Sequence, residues 1–212
     1  MEILIGLIIL IFSAILHEIA HGYVADRLGD PTARLAGRLT LNPVKHIDLF
    51  WTILLPLFFF LSQSPILFGG AKPVPVDPFN LKEGRKDIAL VSLAGPLTNI
   101  LLALLASICL KLFFPHSVIE ASFATAFFRM ILITLVDYNL LLAIFNLLPI
   151  PPLDGSKIFS LLLPERQAAA YLSLGQFGVF ILLILLMLPP GAFSLQHMIF
   201  AMFTFSRTVL GL

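Results

Sequence analysis

The sequence predicts an all-α polytopic membrane protein with about five transmembrane helices, one membrane-embedded re-entrant segment and a short extended, β-like loop. Three observations carry that prediction. Of 212 residues, 59% are hydrophobic and only 12% are charged, and mean hydropathy is +1.02; a soluble domain carries about 25% charged residues. The apolar residues gather into runs close to the ~20 residues that a helix needs to cross the hydrocarbon layer. The polar connections between the runs are too short to fold as soluble domains. The expected organisation is therefore one domain over residues 1–212, with a core of about 3–156 and further C-terminal helices in 168–212.

The runs follow in order. Ile3 to Ala25 lacks a basic leading segment and a small-residue cleavage site, so it reads as a retained helix rather than a secretory signal. Ile47 to Phe68 contains Pro56 and runs into "QSPILFGGAKPVPVDP", which leaves its helical character in question. Ile88 to Phe114 and Ala124 to Leu148 are uninterrupted enough to span. Ala168 to Leu188 and Ala192 to Leu212 complete the set. A net charge of +1 without any basic block gives no footprint for nucleic acid. The single Cys109 lies in an apolar run and cannot form an internal disulfide, so it reads as a small packing residue.

The first run holds "HEIAH". His17 and His21, spaced i and i+4, share one helix face, the spacing that two zinc ligands need, with Glu18 beside them as a general base. Ionisable groups at membrane depth are costly and mark function by default. Two histidines are too few for a catalytic zinc, so a third ligand must come from elsewhere, with the fourth position open for water. "FNLLPIPPLDG", from Phe145 to Gly155, ends a later apolar run. Pro149, Pro151 and Pro152 cannot together continue a helix, and unwound backbone at membrane depth is tolerated only where protein or a wet cavity surrounds it. Asp154 there supplies a hard oxygen ligand suited to completing a His, His, carboxylate set.

These stretches, together with "GGAKPVPV" and "SLAGPLTN", resemble the site-2 protease family of intramembrane zinc metalloproteases, in its compact form without appended domains. The resemblance covers about Ile11 to Ser156. It implies one zinc per chain bound by His17, His21 and Asp154, water activation by Glu18, and helper roles for Asn146 and Asn99. The implied partners are transmembrane protein substrates within a lipid bilayer. The implied location is a multi-pass position in a prokaryotic plasma membrane. Gly70 and Leu49 depart from common family residues and bear on loop detail.

Other polar residues have competing readings. Asn99 suits an interhelical hydrogen bond as well as oxyanion stabilisation, and Asn146 suits holding the substrate backbone. His46 reads as interfacial. Asp137, a charge within a span, calls for a partner such as Arg129. "GAKPVPVDP" offers a strand edge for an extended substrate: Pro73 and Pro75 strip donors from one edge, leaving the Val74 and Val76 N–H groups on the other. A membrane metal transporter or sensor built on the same ligands is the rival reading; it calls for metal-binding groups spread along a path across the bilayer.

Topology follows from parity. The first run and Ala124 to Leu148 must bring their C-terminal ends to one metal, so they run parallel, with Ile88 to Phe114 opposed. Ile47 to Phe68 must then enter and leave on one face. Arg27, Arg34, Arg38, Lys45, Lys72, Lys82, Arg85, Lys86, Lys157 and Arg166 fall on that face, joined by Arg207 if the last two runs both cross. Lys111 and Arg129 fall opposite. The positive-inside rule makes the crowded face cytoplasmic and puts the active site near it.

Overall fold

The computed structural model describes residues 2–48, 52, 54, 61, 71–114, 122–188 and 194–212. The chain opens with α1 (Glu2–Leu28). Its buried positions Ser13, His17, His21 and Ala25 recur every four residues and so form one stripe, while Ile3, Leu4, Leu7, Ile8 and Phe12 stay exposed, as a lipid-facing surface does. Gly29, at a φ of 115°, stops the helix. A short α2 (Thr32–Leu35) follows, then tight turns at Pro43–His46 and Pro78–Asn80, whose Asn42 and Asp77 side chains cap the backbone at Val44 and Phe79.

Two long helices come next. α3 (Arg85–Phe113) carries Pro96 in its interior. α4 (Phe123–Leu147) opens on a reciprocal Ser122–Thr125 cap and stops two residues before Pro149. The chain then forms α5 (Asp154–Phe159), α6 (Glu165–Ser173), α7 (Gly175–Met187) and α8 (Leu195–Val209).

α1, α3 and α4 are each long and apolar enough to cross a membrane; α6 and α7 pass the same test only as a pair bent by 63°. α8, at 15 residues, falls short of the ~20 that a straight span needs. The described residues thus hold three candidate spans, or four with the bent pair. They include no strand, and the expected extended loop is a non-helical stretch over 71–77. The expected re-entrant run from Ile47 to Phe68 lies almost wholly outside the described residues.

Side-chain contacts set the helix directions. His17 meets Asn99 and His21 meets Val91, so α1 and α3 are antiparallel. Asn99 meets Asn139, and Ala103 and Ala106 pack with Val136 and Leu140, so α3 and α4 are antiparallel too. α1 and α4 therefore run parallel, as parity requires. Alanines at that seam let the helices approach closely.

Two expectations are corrected. Leu195 packs with Leu148 and Leu182 near the Pro-rich turn, whereas Ser107 Oγ donates to Leu210 O at 3.4 Å and Gly211 abuts Lys111. α8 thus runs away from the metal end and finishes beside Lys111, so Arg207 does not join the crowded basic face. Asp137 pairs with that Arg207, at 3.4 Å, and not with Arg129 as its expected partner. Spacing along one helix suggested Arg129; a later helix delivers the cation instead.

Candidate metal centre

Two chain segments bring the three candidate ligands together, two from α1 and one from α5. His17 and His21 sit one turn apart on α1, and their rings meet edge to face at 4.6 Å between centroids. Asp154 is the first residue of α5, where the chain resumes a helix after Pro149, Pro151 and Pro152. His17 Nε2 lies 3.0 Å from His21 Nε2 and 3.3 Å from Asp154 Oδ2, and His21 Nε2 lies 3.1 Å from the same oxygen. Tetrahedral zinc with ligand bonds of ~2.0–2.1 Å has ligand-to-ligand edges of roughly 3.3 Å. The triangle fits.

The chemistry of the donors fits as well. His21 Nδ1–H donates to the Val91 carbonyl at 2.7 Å and His17 Nδ1–H to Asn99 Oδ1 at 2.6 Å. Each neutral ring therefore turns a bare Nε2 lone pair toward the other and toward a carboxylate oxygen. All three residues are buried. Three electron-rich atoms packed this closely need a cation among them. They form a cluster of His and acidic residues suited to a metal ion among the described residues.

Two glycines make the approach possible. A Cβ on Gly95 would lie 2.5 Å from the Nε2 atoms of both histidines, so α3 can back onto the centre only with glycine there. A Cβ on Gly155 would fall on the carbonyls of Leu147 and Leu148, so the glycine after Asp154 lets α5 start directly under the end of α4. Lys157 Nζ reaches Asp154 Oδ1 at 3.4 Å, on the side away from the histidines. Arg85 anchors the segment after α5 by donating to the carbonyls of Ser160 and Leu163.

Glu18 has an unexpected partner. Its Oε2 accepts the Val74 N–H at 2.7 Å, so one of the two donors assigned to a substrate edge is already spent on the carboxylate. The stretch carrying Val74 is tied at both ends. Buried Arg38 donates to Lys72 O at 2.7 Å and Pro73 O at 3.4 Å. Fully buried Asp30 accepts from Asp77 N at 2.7 Å, Asn80 Nδ2 at 2.9 Å, and the Thr32 N–H and hydroxyl. Burial alone would push the Asp30 carboxyl up; hydrogen bonds from Thr32, Asn80 and Asp77 outweigh it and hold the group below the usual carboxylate range. A Cβ on Gly22 would strike Val74, Ala33 and Leu39, so the residue after His21 gives Val74 its seat on α1.

Of the remaining expected site residues, Asn99 touches a candidate ligand and Asn146 bonds within its own helix. Asn99 is fully buried behind His17, with its amide nitrogen donating to Asn139 Oδ1 at 2.8 Å. Asn146 Nδ2 donates to Leu142 O of its own helix at 2.9 Å. His46 is buried within the protein: its ring meets Thr40 O at 2.9 Å and its carbonyl accepts from Lys72 N. Asp30, Asn139 and the loop-anchoring contacts of Arg38 escaped the sequence reading. Asn139 did leave a signal, a polar side chain in the middle of an apolar run beside the noticed Asp137.

Comparison with known proteins identifies the family. The profile described as Peptidase family M50 matches residues 5–131 and 115–189. A Bacillus subtilis protein named "Putative zinc metalloprotease YwhC" is 40% identical over 193 residues, 91% of this chain and 84% of its own length. Proteins named "Putative zinc metalloprotease Rip2" are 34% identical over 84% of this chain in Mycobacterium tuberculosis, covering 64% of that protein, and 30% identical over 92% in Mycolicibacterium smegmatis, covering 71%. No solved structure matches. With the matched profile spanning both the histidine helix and the aspartate turn, the chain belongs to Peptidase family M50, the site-2 protease family, and is a zinc metalloprotease of multi-pass membrane architecture.

Proposed function

We propose that this single-domain protein is an intramembrane endopeptidase that hydrolyses peptide bonds within or near the transmembrane helices of other proteins. One observation carries the reading: both histidines of the cluster sit well inside α1, a helix long and apolar enough to cross a membrane. His17 lies eleven residues before the end of α1 at Leu28, which at ~1.5 Å per residue is roughly 16 Å along the helix. A substrate peptide bond must reach the centre at that depth.

His17, His21 and Asp154 are the residues that would hold the zinc, through Nε2, Nε2 and Oδ2. Bound there, zinc supplies Lewis-acid chemistry that polarises a scissile carbonyl and acidifies water. Glu18 takes the proton from the attacking water and returns it to the leaving amide nitrogen. Val74 N–H fixes Glu18 through Oε2, and the structure gives Oε1 no partner among the described residues. Asn99 supports His17 from behind, and Asn146 is the candidate for holding substrate backbone. The basic residues at the metal end of the bundle make that face cytoplasmic.

The rival, a metal transporter or sensor, calls for ligands distributed across the bilayer. Among the described residues only His17, His21 and Asp154 form such a group. The deciding experiment is cleavage of a synthetic transmembrane substrate in detergent, with and without a chelator. Wild-type protein cleaves and the chelator stops it, while Glu18→Gln retains about one zinc per chain and does not cleave. Metal flux into liposomes without proteolysis would establish the rival.

A further inference from the structure

Behind the metal centre runs a line of buried amides with a fixed polarity, and it starts from a main-chain carbonyl. Asn139 Nδ2, on α4, donates to Leu135 O of its own helix at 2.8 Å and to Ser13 Oγ of α1 at 2.9 Å. A carbonyl can only accept, so the end of Asn139 that faces Leu135 is the NH2. Its Oδ1 therefore faces Asn99 and accepts from Asn99 Nδ2 at 2.8 Å. That turns Asn99 Oδ1 toward His17, where it lies 2.6 Å from Nδ1. An amide oxygen cannot donate, so Nδ1 carries the ring proton. In a neutral imidazole the lone pair is then on Nε2, the atom that faces His21 and Asp154. Flipping either amide would set two acceptors or two donors face to face at 2.8 Å or less, and Ser13, Asn99 and Asn139 are buried beyond the reach of compensating solvent.

We propose that Asn139 is a positioning residue for zinc binding: it fixes the amide orientation of Asn99 and thereby holds His17 in the Nδ1–H tautomer that presents Nε2 to the metal. The proposal rests on His17 being a zinc ligand. His21 is an internal control, because the Val91 main-chain carbonyl sets its tautomer without any side-chain relay. The relay also gives an intramembrane histidine a reason to be ordered before metal arrives. Partners of this kind around metal-bound histidines change affinity by ~10–100-fold when removed.

The test combines two measurements on the full chain in detergent. Nitrogen-15 spectra of histidine side chains, recorded on the metal-stripped protein above neutral pH, report the tautomer of each ring. The expected result is Nδ1–H for His17 and His21 in wild type, and mixed tautomers for His17 alone in Asn139→Leu. Zinc affinity, measured by competition with a chromogenic chelator, falls about 10–100-fold in Asn139→Leu and is unchanged in Ser13→Ala, which removes a side branch of the relay. An unmixed His17 tautomer with wild-type affinity in Asn139→Leu overturns the proposal. So does an Nε2–H tautomer of His17 in wild type, which needs no variant to fold. His17→Ala separates the two readings: stoichiometric zinc in that variant refutes the ligand assignment itself, whereas loss of zinc there with an unaffected Asn139→Leu refutes only the relay.

Discussion

Val74 donates its N–H to Glu18 Oε2 at 2.7 Å, across 56 residues of sequence. Glu18, the residue we propose takes the water's proton, is therefore held by the backbone of a proline-rich loop. Pro73 and Pro75 flank the donor, and with their φ angles locked the 73–75 stretch has few conformations through which to lose that contact.

Replacing Val74 with proline removes this donor and no metal ligand. A hydrogen bond to a charged group is worth about 1.5–3 kcal/mol, so kcat/KM is expected to fall roughly 10- to 150-fold while zinc content stays at one per chain. Arg38→Ala loosens the same stretch by freeing the carbonyls of Lys72 and Pro73, and is expected to lower turnover in the same direction. Because both act through one contact, the double variant should be little worse than Val74→Pro alone. Full additivity of the two losses would show that Arg38 works by another route.

Asp30 gives the loop anchor a pH dependence. Its folded carboxyl is held below the unfolded value of about 3.9. The ionised form is therefore the one that the fold favours. The stabilisation is present in full above roughly pH 5 and is lost as pH falls through the unfolded value toward the lower folded one. Thermal unfolding in detergent should show wild type more stable than Asp30→Asn at pH 7, with the difference shrinking steadily toward pH 3. A difference that stays constant over that range would remove the carboxylate from the account.

Much of the site could be read from residue types alone. The i, i+4 histidines needed only a helix to share a face, and the prolines before Asp154 forced the chain to break where an oxygen ligand was required. Helix directions followed from bringing two ends to one metal. What escaped were contacts between residues distant in sequence: Val74 on Glu18, Arg38 on Lys72, Arg207 on Asp137. Each depends on packing geometry that no local period encodes. The alternating Val74/Val76 edge was read as a row of donors for a substrate. Its first N–H proved to serve the enzyme's own carboxylate, because Gly22 lets Val74 sit directly on α1.

Gly155 tests how tightly the aspartate is placed. A methyl group there would collide with the carbonyls of Leu147 and Leu148, and backbone cannot yield as a side-chain tip can. Gly155→Ala is expected to displace Asp154 and leave zinc well below one per chain, with helix content by circular dichroism unchanged. Gly175→Ala is the control, since its Cβ would meet nothing closer than 3.8 Å, and it should bind zinc normally. Stoichiometric zinc in Gly155→Ala would mean that the turn relaxes without moving the carboxylate.

The pair between Asp137 and Arg207 fastens α8 to α4, at 3.4 Å and with both side chains partly shielded. Apolar contacts from Phe203, Leu210 and Leu212 to the Ala103, Ala106, Val136 and Leu140 cluster accompany it. Removing the cation alone leaves a carboxylate at membrane depth with one oxygen, Oδ1, already lacking a partner among the described residues, so the loss should exceed the value of the pair itself. Full burial would put the cost of breaking the pair near 3–5 kcal/mol. With roughly a quarter to a third of each side chain accessible, at 23% and 34%, about 1–3 kcal/mol is the expected loss for Arg207→Ala. Asp137→Asn combined with Arg207→Ala should recover most of it, because a neutral amide no longer needs the cation. Zinc content should be unaffected in all three variants, since neither residue touches the ligands. Unfolding midpoints in detergent for the two single variants and the double variant decide the matter: a double variant less stable than Arg207→Ala would show that Asp137 stabilises the fold independently of Arg207.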